Sequence, residues 1–133
     1  MKQYKILMAD DEPDVLDIMA RKVALKGYDV VKAYDGITAW DMAQSESPDI
    51  FVLDINMPGL DGFQVLKNIR EKPASKKWQP VIIVSARTEL DDIKQGYTLE
   101  ADHYLVKPCN IDDVIKAIRL MISLMPQRQS NQT

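Results

Sequence analysis

The stretch IFVLDINMPGLDG, residues 50–62, joins an apolar run to a carboxylate and then to residues that break helices and strands. The apolar run predicts a buried strand, and Asp54 follows at its carboxyl end. Pro58, Gly59 and Gly62 predict a loop after Asp54. An ordinary Asp turn after a strand explains this pattern equally well, so its meaning depends on the residues at the ends of the other strands.

Length and composition restrict the class of protein. The chain has 133 residues, of which 46% are hydrophobic and 28% charged, as expected for one globular domain. Its net charge of −3 gives no electrostatic footprint for direct binding of nucleic acid or an anionic membrane. The single Cys109 cannot form an internal disulfide, and no signal peptide or membrane span is recognisable. These features predict a cytoplasmic protein.

Apolar runs alternate with amphipathic segments five times along the chain. Strands are predicted at about residues 4–9, 30–33, 50–53, 81–84 and 104–106. Helical spacing between and after them predicts five helices. The residues predicted to face inward are Val15, Ile18, Met19 and Val23 in helix one, Ile37, Trp40 and Ala43 in helix two, Phe63, Leu66 and Ile69 in helix three, Leu90, Ile93 and Tyr97 in helix four, and Ile111, Val114, Ile115, Ile118, Ile122 and Met125 in helix five.

Regular alternation of strands and helices predicts an α/β fold, a doubly wound parallel sheet with helices on both faces. Right-handed crossovers then bring the carboxyl ends of all strands to one edge, where such folds bind ligands. The domain is predicted to span residues 1–125. Residues 126–133 are rich in Gln, Ser, Asn and Thr, and are predicted to be a disordered tail or a linker stub.

Polar side chains follow four of the five predicted strands. They are Asp10 and Asp11 after strand one, Asp54 after strand three, Ser85 after strand four and Lys107 after strand five. Clustered carboxylates repel each other, and Mg²⁺ removes that conflict by taking oxygen ligands. We therefore expect a Mg²⁺ site with Asp11 and Asp54 as direct ligands. Asp10 would bind directly or through water, and the backbone carbonyl of Asn56 could add an oxygen.

An anionic guest is expected beside a metal and an ammonium group, and a phosphoryl group is the guest we favour. Asp54 would be the nucleophile, Lys107 would neutralise charge on the transferred oxygens, and the Ser85 hydroxyl could donate to one of them. Each residue also has a plainer explanation: acids at a helix N-terminus, a serine in a turn, a solvated lysine. Their joint placement at one sheet edge favours the functional explanation.

The chain resembles the receiver domain of two-component response regulators over about residues 4–125. The resemblance is carried by Asp10-Asp11, Asp54, Met57-Pro58, Asp61-Gly62, Ser85-Ala86, Tyr104 and Lys107-Pro108. It implies a flavodoxin-like sheet in the order 2-1-3-4-5, as in the chemotaxis member of the family. It also implies that Asp54 accepts phosphate from a phosphohistidine of a sensor kinase or phosphotransfer protein, and that the domain is a signalling switch rather than a turnover enzyme.

The resemblance further implies a switch made by Ser85 and Tyr104. On phosphorylation the Ser85 hydroxyl would move inward and the Tyr104 ring would turn from the surface into the space it leaves. The face made by helix four, strand five and helix five would change, for a downstream effector or a homodimer partner. A cis bond between Lys107 and Pro108 is implied too. Glu100 departs from the family, which usually has glycine before Ala101-Asp102.

Two other functions remain open from the sequence. A Mg²⁺-dependent phosphatase of the haloacid dehalogenase kind also has a nucleophilic Asp at a strand end, with a second Asp two residues later. Asn56 occupies that second position here and cannot move protons. The other alternative is an interaction module that never accepts phosphate, which would leave the acidic set unexplained. The cognate kinase and the output are not encoded in these residues.

Overall fold

A computed structural model describes residues 3–125, which form five strands and five helices in strict alternation. The predicted boundary at residue 126 and the tail 126–133 lie outside the described residues. The elements are β1 (Lys5–Ala9), α1 (Pro13–Ala24), β2 (Asp29–Ala33), α2 (Gly36–Ser45), β3 (Ile50–Leu53), α3 (Gly62–Glu71), β4 (Val81–Ser85), α4 (Leu90–Thr98), β5 (His103–Val106) and α5 (Ile111–Leu124).

The five strands form one parallel sheet in the order β2-β1-β3-β4-β5, which confirms the predicted fold class and strand order. Strands β1, β3 and β4 lie inside the sheet and are apolar at nearly every position, because helices cover both of their faces. The order reverses between β1 and β3, so these two strands end beside each other. Asp10 and Asp54 follow them there.

Two apolar cores lie on opposite faces of the sheet. One contains side chains from α2 and α3, with Leu53 and Ile83 from the sheet. The other contains side chains from α1 and α5, with Met8 and Val52 from the sheet. The predicted inward positions of α3 are confirmed, since Phe63, Leu66 and Ile69 are buried. In α5, Val114, Ile115, Ile118 and Met125 are buried as predicted, while Ile111 and Ile122 are partly buried.

The predicted inward face of α1 is partly wrong. Val23 is buried and Met19 partly buried, but Ile18 is 59% exposed and Val15 lies at the surface. The helix buries Leu16, Ala20 and Val23 instead. Apolar residues occupy more than one side of α1, so spacing alone could not select the side that meets the sheet.

The inward faces predicted for α2 and α4 are also partly wrong. In α2 Ala43 is buried as predicted, but Ile37 is 55% exposed and Trp40 only partly buried, while the small residues Gly36 and Ala39 are buried instead. Small residues at these positions allow α2 to lie close to the neighbouring backbone. Gly36 has no room for a Cβ, because the backbone of Leu60 lies against it.

Helix α4 packs on the sheet side through Gly96 and the predicted Ile93, whereas the other two predicted apolar residues are exposed. Leu90 is 64% and Tyr97 48% exposed, and Ile93 is partly buried. Within α4, all of which is described, Gly96 is the one buried residue. A Cβ at Gly96 would press on the ring of Tyr104, so the helix lies as close to β5 as a glycine permits.

The connection from α4 to β5 is held by a partly buried arginine from α3, Arg70. Arg70 donates to the carbonyl oxygen of Glu100 at 2.9 and 3.1 Å and to the Asp102 carboxylate at 2.8 Å. Asp102 also accepts from the backbone N–H of Val81 at 2.8 Å. These bonds fix Glu100 at φ 70°, the left-handed region where a side chain is strained. This backbone conformation explains why the family usually has glycine at this position.

Replacing Glu100 with glycine is expected to stabilise the domain by about 0.5 to 1 kcal/mol, because glycine adopts positive φ without the steric cost of a Cβ. Urea denaturation measures the free energy of unfolding. Glu100→Ala is the matched control, since it removes the charge and keeps the Cβ. A Gly variant no more stable than the Ala variant would contradict the assigned strain.

Candidate functional site

Three of the predicted site residues meet at the carboxyl ends of β1, β3 and β5. The Nζ of Lys107 donates to Asp10 Oδ2 at 2.7 Å and to Asp54 Oδ2 at 3.2 Å. The side chains of Asp10 and Asp54 are 6% and 7% exposed. Residues far apart in the sequence therefore form one partly buried cluster, as the joint placement predicted.

Backbone hydrogen bonds fix the two aspartates at the ends of their strands. The N–H of Asp54 donates to the Ala9 carbonyl, and the N–H of Asp10 donates to the Ala33 carbonyl, so each residue continues the ladder of the sheet. Asp10 Oδ1 then accepts from the N–H of Glu12 at 3.0 Å, where α1 begins. The bond between Lys107 and Pro108 is cis, as the resemblance implied.

Burial and charge act in opposite directions on the groups of this cluster. Burial raises the pKa of Asp54, the Lys107 ammonium lowers it, and the neighbouring Asp10 raises it further, with a net upward shift. Burial would lower the pKa of Lys107, but its hydrogen bond to Asp10 and the charge of Asp54 outweigh burial, and the pKa is raised. The lysine is held as a cation, whereas the Asp54 carboxylate carries its charge at a cost.

The acidic groups outnumber the one lysine beside them. Carboxylate oxygens of Asp10, Asp11 and Glu12 lie within 4.8 Å of one another. Glu12 Oε1 is also 3.9 Å from Lys107 Nζ. This excess of negative charge, offered entirely by oxygen atoms, matches the ligands that Mg²⁺ prefers. Asp10 and Asp11 were predicted as site residues from the sequence, whereas Glu12 was not included.

Ser85 and Tyr104 lie on neighbouring strands beside this cluster. Ser85 is the last residue of β4 rather than the first residue after it, and it is fully buried. The Tyr104 ring is already buried in this structure, whereas the resemblance implied a ring that starts at the surface. Its hydroxyl donates to the carbonyl oxygen of Arg87 at 2.9 Å. Burial raises the pKa of this phenol.

A contact that the sequence did not predict lies at the rim of the site. Arg87 donates through Nε and Nη2 to Asn56 Oδ1 at 3.0 and 2.7 Å. The guanidinium lies 5.9 Å from the centre of the Phe63 ring. Positions 56 and 87 each lie two residues beyond a site residue, which could have suggested a shared rim. The hydrogen bond itself needs the two loops to face each other, and spacing does not show that.

The raised pKa of Asp54 predicts how the stability of the metal-free domain depends on pH. Because the folded state binds this proton more tightly than the unfolded chain, stability falls as pH rises from the unfolded pKa of about 3.9 through the folded pKa. Asp54→Asn should therefore have a higher urea midpoint than the wild type at pH 7 in EDTA, and the difference should vanish below about pH 3.9. Equal midpoints at pH 7 would contradict a costly charge at Asp54.

The sequence profile of the response regulator receiver domain matches residues 6–119. Two curated relatives are similar over 118 residues, which is 89% of this chain in each case. PrrA of Mycobacterium tuberculosis, a transcriptional regulatory protein, is 38% identical, and 49% of its length is covered. RpaA of Synechocystis, a DNA-binding dual master transcriptional regulator, is 32% identical, with 48% covered. The chain thus spans about half the length of these relatives.

A solved structure agrees with this match. The receiver domain of Francisella response regulator 1452 is 32% identical and has a TM-score of 0.81, over 89% of this chain and 95% of that one. The profile match over most of the chain, the curated relatives and the shared fold lead to one conclusion. The chain belongs to the receiver domain family of two-component response regulators, which are signalling domains rather than turnover enzymes.

Proposed function

We propose that this domain is a phosphorylation-dependent switch in which Asp54 accepts a phosphoryl group from the phosphohistidine of a sensor histidine kinase or a phosphotransfer protein. The observation that carries this proposal is the 3.2 Å contact between Lys107 Nζ and Asp54 Oδ2, inside a cluster that also holds Asp10. A buried carboxylate beside a fixed ammonium is a nucleophile with a cation ready to neutralise the group it receives.

The proposed phosphoryl transfer forms one bond and breaks one bond. A carboxylate oxygen of Asp54 forms the new bond to phosphorus, while the bond from phosphorus to the donor's ring nitrogen breaks and its electron pair stays on that ring. Lys107 moves no proton in this step; its charge stabilises the phosphoryl oxygens as they change position. The raised pKa of Lys107 keeps it charged across the physiological range.

Mg²⁺ is the proposed cofactor, and the donor set fits it. Asp10, Asp11, Asp54 and the backbone carbonyl of Asn56 would hold it, and the Glu12 carboxylate lies within 4.8 Å of those of Asp10 and Asp11. The ion would supply positive charge to the phosphoryl oxygens and would relieve repulsion between the acids. The chain's own contribution is to hold these oxygens at the ends of β1 and β3.

Mg²⁺ is expected to raise the melting temperature, because it binds the folded state and not the unfolded chain. At a concentration ten times its dissociation constant the gain is about 1.4 kcal/mol. Asp11→Asn should remove most of the gain. Asp14→Asn is the matched control, since Asp14 is an exposed acid in the first turn of α1 outside the cluster. A wild-type melting temperature unchanged at millimolar Mg²⁺ would reject the metal site.

The proposed switch residues are Ser85 and Tyr104. A phosphoryl group on Asp54 would attract the Ser85 hydroxyl, whose oxygen now accepts from the N–H of Arg87 at 3.1 Å. Because Tyr104 donates to the carbonyl of the same Arg87, a movement there changes the position of the buried ring. The face of α4, β5 and α5 would then change for an effector or for a homodimer partner.

Neither alternative function is favoured by the site. A haloacid dehalogenase-like phosphatase needs a second Asp at position 56, but Asn56 stands there and its Oδ1 accepts two hydrogen bonds from Arg87. Incubation with acetyl phosphate and Mg²⁺, followed by intact-mass measurement, distinguishes the switch from the interaction module, and a turnover assay on a phosphate ester tests the phosphatase. The switch gains one phosphoryl group. An unmodified protein would favour the interaction module, and many turnovers of a phosphate ester would favour the phosphatase.

The relatives suggest how such a switch is used. The printed names of PrrA and RpaA describe regulators of transcription, so we propose that a full-length protein containing this domain passes the signal to an effector, including one that binds DNA. Direct contact of this domain with nucleic acid is not proposed, given its net charge of −3. No helix in residues 3–125 is long and apolar enough to cross a bilayer, and we propose a cytoplasmic location.

A further inference from the structure

Arg87 makes hydrogen bonds with four different parts of the fold. Its N–H donates to Ser85 Oγ at the end of β4, at 3.1 Å. Its carbonyl oxygen accepts from the Tyr104 hydroxyl of β5, at 2.9 Å. Its guanidinium donates to Asn56 in the β3–α3 loop at 2.7 and 3.0 Å, and to Asp92 of α4 at 3.4 Å. One residue therefore touches the strand end beside the site, the loop after Asp54 and the first turn of α4.

The two ends of α4 are held differently. Near its C-terminal end, Gly96 packs on Tyr104, and Arg70 binds the carbonyl of Glu100 in the following loop. At the N-terminal end, the N-cap Glu89 makes no side-chain capping bond, and Leu90 is 64% exposed. The contact of Arg87 with Asp92 joins this lightly packed first turn to the site. The N-terminal end is therefore the one that can move when that contact changes.

We propose that Arg87 is a positioning residue that tethers the first turn of α4 to the loop after Asp54 and couples the occupancy of Asp54 to that turn. The coupling rests on the proposed phosphorylation, whereas the tether exists without it. When the Ser85 side chain rotates to donate its hydroxyl proton to a phosphoryl oxygen, Oγ moves away from the Arg87 N–H and no longer accepts from it. The Arg87 backbone then shifts, and its guanidinium cannot keep both Asn56 and Asp92.

The tether requires the shape of a guanidinium as well as its charge. Arg87 donates in two directions from a rigid plane, and the Phe63 ring lies 5.9 Å from that plane's central carbon. A lysine ammonium is a compact point charge and cannot reach Asn56 and Asp92 from one fixed plane. Arg87→Lys therefore keeps the positive charge but loses the bridge between Asn56 and Asp92.

Amide hydrogen exchange of Ile93 reads the tether directly, because its N–H donates to the Glu89 carbonyl in the first turn of α4 at 3.2 Å. Exchange is compared among the wild type, Arg87→Met, Arg87→Lys and Lys94→Met, with and without Mg²⁺ and beryllium fluoride. Beryllium fluoride is a tetrahedral anion that mimics a phosphoryl group on a carboxylate. Lys94→Met is the matched control, since it removes a cation from the exposed surface of the same helix. Asn56→Ala removes the acceptor and serves if Arg87→Met does not fold.

In the free protein, Arg87→Met and Arg87→Lys are expected to raise exchange at Ile93 about tenfold, the effect of one lost charge-assisted hydrogen bond. Beryllium fluoride should change this exchange in the wild type and in Lys94→Met but not in the Arg87 variants. A merely structural arginine would leave that response intact. If Ile93 in free Arg87→Met exchanges at the wild-type rate, the tether is overturned. If beryllium fluoride changes Ile93 exchange in Arg87→Met as it does in the wild type, the coupling is overturned. If the wild type itself does not respond, the proposed phosphorylation site fails and the coupling with it, while exchange in the free protein still decides the tether.

Discussion

Lys107→Ala is expected to slow phosphoryl uptake from acetyl phosphate by about 10²- to 10³-fold, the usual effect of removing one preorganised charge from a transfer site. The reason is local: the ammonium lies 2.7 Å from Asp10 and 3.2 Å from Asp54 and is 18% exposed, so solvent screens it little. No other described cation contacts the Asp54 carboxylate through a hydrogen bond or an ion pair. The rate is measured by intact mass against time.

The control for this variant is Lys32→Ala. Lys32 pairs with Asp17 at the exposed surface of β2, away from the carboxyl ends of β1 and β3. It removes the same charge and should leave the rate unchanged. Circular dichroism must show that both variants are folded, because Lys107 also offsets two buried acids. Uptake by Lys107→Ala within threefold of the wild type would show that this ammonium does not stabilise the transfer.

Gly62→Ala is expected to destabilise the domain by about 3 kcal/mol, the upper part of the range for forcing extra atoms into a packed site. A Cβ at Gly62 would overlap the carbonyl group of Asp54 and the Cα of Ile55. These are backbone atoms of the loop after β3, and they cannot rotate away as a side chain could. The same collision displaces Asp54, so phosphoryl uptake should slow along with the loss of stability.

The control is Gly27→Ala, at a glycine with nothing within 4 Å of an added Cβ but with φ of 97°. This variant isolates backbone strain and should cost only about 1 kcal/mol. Urea denaturation measures both variants. Equal losses of stability would mean that the collision with the Asp54 backbone is absorbed, and that the loop after β3 is not tightly packed against α3.

The parallel sheet and the placement of Asp10, Asp54 and Lys107 could be predicted because each depends on a short local signal, whereas the strand order came from the family resemblance. An apolar run ends, a charged residue follows, and a parallel sheet brings such ends to one edge. The sides of the helices were harder to predict. In α1, Ile18 and Leu16 are both apolar, and only contact with the sheet shows that Leu16 is the buried one.

The contacts that sequence could not give are those between loops. The bond from Arg87 to Asn56 joins two loops that are 31 residues apart, and the Arg70 bond to the Glu100 carbonyl spans 30. Neither leaves a periodic signal. The buried ring of Tyr104 belongs to the same class, since it depends on Gly96 allowing α4 to lie close to β5.

In the proposed switch Asp54 carries the phosphoryl group. Tandem mass spectrometry after treatment with acetyl phosphate and Mg²⁺ should find one phosphoryl group in the wild type, on Asp54. It should find none in Asp54→Asn, and an unchanged level in Asp61→Asn, which keeps a side-chain oxygen to cap α3. An unmodified wild type, or a modification that persists in Asp54→Asn, would exclude Asp54 as the phosphoryl acceptor.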